Sequence, residues 1–274
     1  MHFLPAVFAF VAAAALAPVI LRRLTEAGLV AANYRGLSLP VPLGVLIVPA
    51  ALVALVPVTL LARLAESDIY PDNFGLVMVL VPGVALLGFI DDVLSGSSRG
   101  WRGHGSALMR GDLSTGALKA VGTLALALLV ASDLPGDKGE FLLAAGVIVL
   151  ATNVFNLLDL RPGRSIKGFI LLGIGLSVTT TLTEPIATLG IFAAPVLVAG
   201  FFDLRERGML GDTGSNVVGA MAGLWMVLAL DTNGQVIALV LLLAINVIGE
   251  FTSISAFIEK APGLRHLDSV GRAS

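Results

Sequence analysis

The stretch FGLVMVLVPGVALLGFIDDV, residues 74–93, decides the fold. From Phe74 to Ile90 it runs 17 residues without a charge and stops on two adjacent acids, Asp91 and Asp92. About 20 apolar residues in a helix cross the hydrocarbon core of a bilayer, so the run reads as a membrane span tipped with a carboxylate pair. Similar runs lie on either side, at Phe3 to Leu21, Leu43 to Leu61, Ala117 to Ala131, Phe141 to Phe155, Ile166 to Leu182, Ile186 to Phe202, Val217 to Leu230 and Val236 to Phe257. The expectation is an all-α polytopic bundle of about nine transmembrane helices, forming one integral domain over residues 1–274. Pro49, Pro57 and Pro82 fall inside these runs, where neighbouring helices can re-satisfy a broken backbone.

Composition agrees. The chain is 57% hydrophobic and 13% charged, with mean hydropathy +0.95, whereas roughly a quarter of residues are charged in a soluble domain. The net charge of −2 gives no basic face for nucleic acid. With no cysteine, disulfides, thiolate metal sites and cysteine nucleophiles are excluded. The Ala-rich first run is preceded only by His2 and followed by Arg22 and Arg23, so it lacks the basic leader of a signal peptide and reads as a retained helix.

Threading nine spans from an outside N-terminus puts 15 of the 17 basic residues on the cytoplasmic side, all but Arg63 and Lys138, as the positive-inside rule asks. The C-terminus is then cytoplasmic and the membrane is the plasma or inner membrane. The loop around Ser95 to Gly111, rich in Gly, Ser and Arg, is expected to be mobile.

Four features share that side. Asp91 and Asp92 repel each other at an apolar helix end, and burying them costs several kcal/mol unless donors or a divalent cation compensate; two solvated loop acids are the equal alternative. In ATNVFNLLDLRPGRSIK, residues 151–167, Asn153, Asn156 and Asp159 are three apart and share a helix face. They line a cavity or serve as interhelical hydrogen-bond glue. Arg161, Arg164 and Lys167 follow and suit phosphate oxygens or lipid headgroups. In the third, Gly211 to Asn216, glycines permit close approach, Asp212 can bind a hard cation and a helix start favours phosphate, or Asp212 or Ser215 is a helix cap. Lys119 either snorkels to the interface or reaches a phosphate. His104 and His266 belong to no metal-ligand spacing, and Asn246 with Glu250 reads as structural pairing in the last helix. No P-loop, G-x-S-x-G or H-E-x-x-H pattern is present. The residues alone point to a phosphate-bearing ligand with Mg²⁺.

The ordered set NYRGLSLPVPLG (33–44), GFIDDV (88–93), LSTGALKA (113–120), NVFNLLD (153–159) and MLGDTGS (209–215) resembles the polyprenyl-phosphate N-acetylhexosamine-1-phosphate transferases. That family, glycosyltransferase family 4, includes phospho-MurNAc-pentapeptide and GlcNAc-1-phosphate transferases. The resemblance implies transfer of a sugar 1-phosphate from a nucleotide sugar, UDP-linked, to a polyprenyl phosphate in cell-envelope polysaccharide or peptidoglycan synthesis. It implies Asp91, Asp92 and Asp159 as catalytic residues and Lys119, Asn153, Asn156, Arg161 and Arg164 as substrate ligands. Asp212 and Asp92 would hold Mg²⁺, for which Mn²⁺ can substitute. A homodimer is a compatible assembly.

The chain departs from the family's N-L-x-D-G-x-D-G pattern at Leu160, Arg161 and Pro162, and the tail has only His266 where the family has a His-rich motif. FFDLRERGML replaces the expected sequence ahead of Gly211. These departures keep a second class open, a non-catalytic relative that binds a lipid phosphate or a cell-envelope partner. A transporter is a third.

Overall fold

The computed structural model describes residues 1–94, 114–252 and 254–272, so the Gly- and Ser-rich loop and His104 lie outside the described residues. In chain order come α1 (Leu4–Glu26), strands β1 (Val30–Ala32) and β2 (Ser38–Pro40), a 3-10 turn (Leu43–Leu46), α2 (Ile47–Leu64), α3 (Phe74–Leu94) and α4 (Thr115–Ser132). Then follow α5 (Lys138–Leu158), α6 (Arg164–Thr180), α7 (Glu184–Leu204), α8 (Gly211–Ala229), α9 (Thr232–Phe251), α10 (Ile254–Lys260) and α11 (Pro262–Ser269). Among the described residues seven helices are long and apolar enough to cross a membrane: α1, α2 with its leading turn, α3, α4, α5, α7 and α9. The protein is an all-α, multi-pass membrane bundle, with one small hairpin that the apolar pattern did not announce.

The centre of the bundle is α8. Sixteen of its 19 residues are buried, which is why it can begin on the polar sequence Gly-Asp-Thr-Gly-Ser-Asn without exposing it to lipid. Small residues let the neighbouring backbones come close. A Cβ on Gly219 would stand 2.5 Å from the Cα of Thr152 in α5, and one on Gly88 in α3 would stand 2.6 Å from the carbonyl oxygen of Asp212.

Contacts between helix ends fix an up-and-down course. At one end the C-terminus of α3 meets the N-terminus of α8, where the Asp212 N–H donates to Asp92 at 2.9 Å. There too Ser215 of α8 donates to Asn156 of α5 at 2.9 Å, and Gly163, ahead of α6, donates to Asp203 of α7 at 2.7 Å. At the other end Thr188 of α7 donates to the Asp72 carbonyl before α3, and Thr232 of α9 donates to Glu140 of α5. His2 stands 3.6 Å from Asp68 at that same end.

The hairpin forms because Asn33 folds its own turn: its side-chain oxygen accepts from the N–H groups of Arg35 and Leu37, both at 2.9 Å, and Gly36 takes the left-handed φ of +80° that the reversal needs. It runs into the segment before α8, where Met209 N–H donates to Pro40, Leu43 N–H to Met209 and Gly44 N–H to Leu210. The approach to Asp212 is thereby held from the N-terminal third of the chain.

Two boundaries differ from the apolar pattern. The eighth helix begins at Gly211 rather than Val217, so the GDTGSN segment is its first turn. The last run stops at Phe251, and residues 254–269 form the two short helices α10 and α11.

Candidate functional site

Both oxygens of Asp92 are in use. One accepts the Asp212 N–H at 2.9 Å; the other accepts the Thr213 N–H at 2.7 Å and the Thr213 hydroxyl at 2.6 Å. Leu210, which precedes α8, provides no side-chain cap, so Asp92 at the end of α3 caps α8 from across the bundle. Neither Asp212 nor Ser215 is the cap.

This arrangement turns the Asp212 side chain toward Lys119 of α4. The Lys119 ammonium hydrogen-bonds to Asp212 and lies 2.6 Å from a carboxylate oxygen of Asp91. The side chain is only 18% exposed, so Lys119 does not snorkel; it bridges two acids inside the bundle end, where low dielectric strengthens its attraction to both.

Asp159 follows α5 directly and is half-buried. Its carboxylate has no hydrogen-bond partner among the described residues. After burial itself, the charges acting on it most strongly are those of Asp203, Asp212 and Asp92, and together they push its carboxyl well above the usual carboxylate range. The sequence reading missed Asp203. It sits in the FFDLRERG segment, 3% exposed, and accepts the Gly163 N–H at 2.7 Å and the Leu210 N–H at 3.3 Å. The signal that could have found it is an acid inside the otherwise apolar end of a span.

The amides divide. Asn156 accepts from Ser215 within the cluster, whereas Asn153 donates to Asn246 of α9, which itself donates to the carbonyls of Leu150 and Leu242. Asn153 is therefore interhelical glue.

The basic residues after Asp159 turn to the tail. Arg161 donates to Glu259 at 2.8 Å and stacks over Tyr34, its guanidinium carbon 4.4 Å from the ring centre. Arg164 is buried and forks onto Asp268 at 2.7 and 2.9 Å, with a third bond to Ser255. Lys167 donates to the Leu267 and Asp268 carbonyls, and Arg272 to Asp268 and to the Pro162 carbonyl. The tail thus seals the loop that follows Asp159.

That seal has a pH dependence. Burial favours the neutral acid at Asp268, but the Arg164 hydrogen bonds and the charges of Arg164 and Arg272 outweigh it and hold the carboxyl below its usual value. A carboxyl depressed in the folded state stabilises docking fully above its unfolded pKa, about 4, and loses that contribution as pH falls through the lower folded value. The tail is therefore expected to stay docked above about pH 5 and to release in stronger acid. Anisotropy of a fluorophore on Ser269→Cys, in this naturally cysteine-free chain, checks this; a signal flat into the acid range contradicts it.

For a divalent cation the residues fit in a restricted way. Asp92 is spent on the start of α8, while Asp159 has an unbonded carboxylate facing other acids, and Asp212 shares its charge with Lys119. Among the described residues no three Asp, Glu or His side chains cluster tightly enough to cage an ion. Mg²⁺ is commonly held by one or two carboxylates and otherwise by water and substrate phosphate, a demand that Asp212 can meet from the protein side. No protein-family model matches the chain, and no curated protein matches it.

Proposed function

We propose that the protein is a phosphotransferase of the plasma or inner membrane, moving a sugar 1-phosphate from a nucleotide sugar, UDP-linked, to a polyprenyl phosphate for cell-envelope polymer synthesis. On this reading α6 and α8 cross with the seven apolar helices to make nine spans. The N-terminus is outside, and the acid cluster and tail face the cytoplasm, where 15 of 17 basic residues then lie. The resemblance of five ordered motifs to the hexosamine-1-phosphate transferases motivates it.

The observation that carries it is the meeting of Asp91, Asp212 and Lys119, with Asp92 and Asp159 beside them, at one end of the bundle. A lipid-phosphate oxygen attacks the sugar-bearing phosphorus, the bond between the two phosphates breaks, and the nucleoside monophosphate leaves. Asp212 would hold Mg²⁺ together with water and substrate phosphate, and the ion would supply charge neutralisation for the diphosphate when bound. Lys119 offers its positive charge to non-bridging oxygens and offsets the repulsion between the two acids it touches. Asp159, whose carboxylate has no hydrogen-bond partner among the described residues, is the group that accepts a proton from the attacking phosphate. Asp92 acts through the backbone: it fixes the first turn of α8 and so orients Asp212.

A non-catalytic reading is favoured by one observation, the capture of Arg161 and Arg164 by the tail acids Glu259 and Asp268. The two are separated by incubating purified protein with a polyprenyl phosphate, Mg²⁺ and a panel of nucleoside diphosphate sugars. Formation of lipid-linked sugar phosphate with stoichiometric monophosphate release is the expected result. No turnover with any donor, while the lipid phosphate still binds, supports the non-catalytic reading instead.

A further inference from the structure

We propose that Asp203 is a positioning residue that clamps the two loops bearing Asp159 and Asp212 in register. The proposal rests on the reading of the acid cluster as the reaction site. Each loop contributes one bond: Gly163, four residues after Asp159, donates its N–H to one Asp203 oxygen at 2.7 Å, and Leu210, two residues before Asp212, donates to the other at 3.3 Å. One 3%-exposed carboxylate at the end of α7 is thus the shared hydrogen-bond acceptor of two segments, one from before α6 and one from after α7 in the chain.

The surroundings leave this clamp little slack. Gly163 holds a left-handed φ of +75°, and a Cβ there would stand 2.4 Å from a Leu204 methyl, so the loop lies tight on α7. On the other side, Met209 is bonded to Pro40, and Asp92 takes the Asp212 N–H. The Leu210 N–H is therefore one of a row of backbone donors fixed in turn by the hairpin, Asp203 and Asp92. Arg272 holds the Pro162 carbonyl from the outer face, next to the Gly163 N–H that Asp203 holds from within.

The chemistry requires Asp at this position. Its two oxygens accept two converging N–H groups, whereas an amide has one acceptor and would direct its own N–H₂ at one of them. A buried N–H left without a partner costs about 1–3 kcal/mol, so the loop it belongs to moves. A displacement of about 1 Å in a reacting group is enough to cost roughly 10²-fold in rate. Asp203 touches no reacting atom on this account; it acts through the positions of Asp159 and Asp212.

The test compares the full chain with Asp203→Asn and Asp203→Ala in lipid nanodiscs, by amide hydrogen exchange read by mass spectrometry and by transfer kinetics. Exchange at Gly163 and Leu210 is expected to rise at least tenfold in the alanine variant, and at one of the two in the asparagine variant, with the helices of the bundle unchanged. The kcat is expected to fall about 10- to 100-fold while KM for the nucleotide sugar stays within about twofold. Unaltered exchange at both amides overturns the clamp, and so does faster exchange throughout the bundle, which would make Asp203 a general stability residue. Local loosening with an unchanged kcat overturns the positioning role. If the unmodified protein transfers nothing but the variants loosen only these two loops, the clamp stands and the functional reading falls.

Discussion

Asp212→Asn is expected to lower sugar-phosphate transfer by about 10²- to 10⁴-fold, the range associated with losing one group that handles charge or protons in the transition state. The substitution is clean because the two halves of Asp212 have separate duties. Its backbone N–H donates to Asp92 and helps start α8, and an asparagine keeps that bond; its side chain meets Lys119 and Asp91, and only there is the charge lost. The thermal midpoint of the variant is therefore expected to stay close to that of the unmodified protein while the initial rate at saturating donor collapses. A rate within tenfold of the original would remove Asp212 from the machinery. A collapse in stability alongside rate would show that the side chain is holding the bundle together instead.

The second large effect is on stability. Lys119→Met leaves Asp91 and Asp212 facing one another without their shared cation, in side chains 13% and 33% exposed. Removing one partner of a fully buried pair costs about 3–5 kcal/mol, and the residual exposure here lowers the expected loss to roughly 2–4 kcal/mol. Millimolar Mg²⁺ is expected to restore a good part of it in the variant, because the two carboxylates are then released to take a hard cation, and to shift the unmodified protein less. Chemical unfolding in detergent with and without Mg²⁺ measures both. A variant as stable as the parent would mean that Lys119 is a solvated surface charge.

The spans were legible because charge is scarce and stops abruptly: Phe74 to Ile90 needs nothing beyond the sequence to be read as a buried helix closed by acids. The first turn of α8 was not, since GDTGSN is polar and hydropathy places the start at Val217; what pays for its burial is Asp92, 120 residues earlier in the chain. The hairpin escaped for a related reason. Its turn is made by an Asn33 side chain rather than by a β-branched pattern, and the strands are three residues each. The acids that meet Lys119 were visible as a set, because each sits at the same end of an apolar run. The fates of Arg161 and Arg164 were not, for positive charge in a sequence tells what a residue can bind and not what reaches it first; Glu259 and Asp268 come from about a hundred residues away. Asn153 shows the same limit, since three-residue spacing put it on the Asn156 face while its partner proved to be Asn246.

The tail's grip on the loop also sets an order of assembly. Arg164 and Asp268 are separated by 104 residues, and at synthesis rates of about 5–20 residues per second the arginine waits roughly 5–20 s for its partner to be made. Through that interval α7, α8 and α9 are still being made, and Arg161, Arg164 and Lys167 stand without the tail groups that hold them in the finished fold. The loop after Asp159 is therefore among the last parts of the molecule to be fastened, and it takes its final shape only once the chain is complete to Arg272.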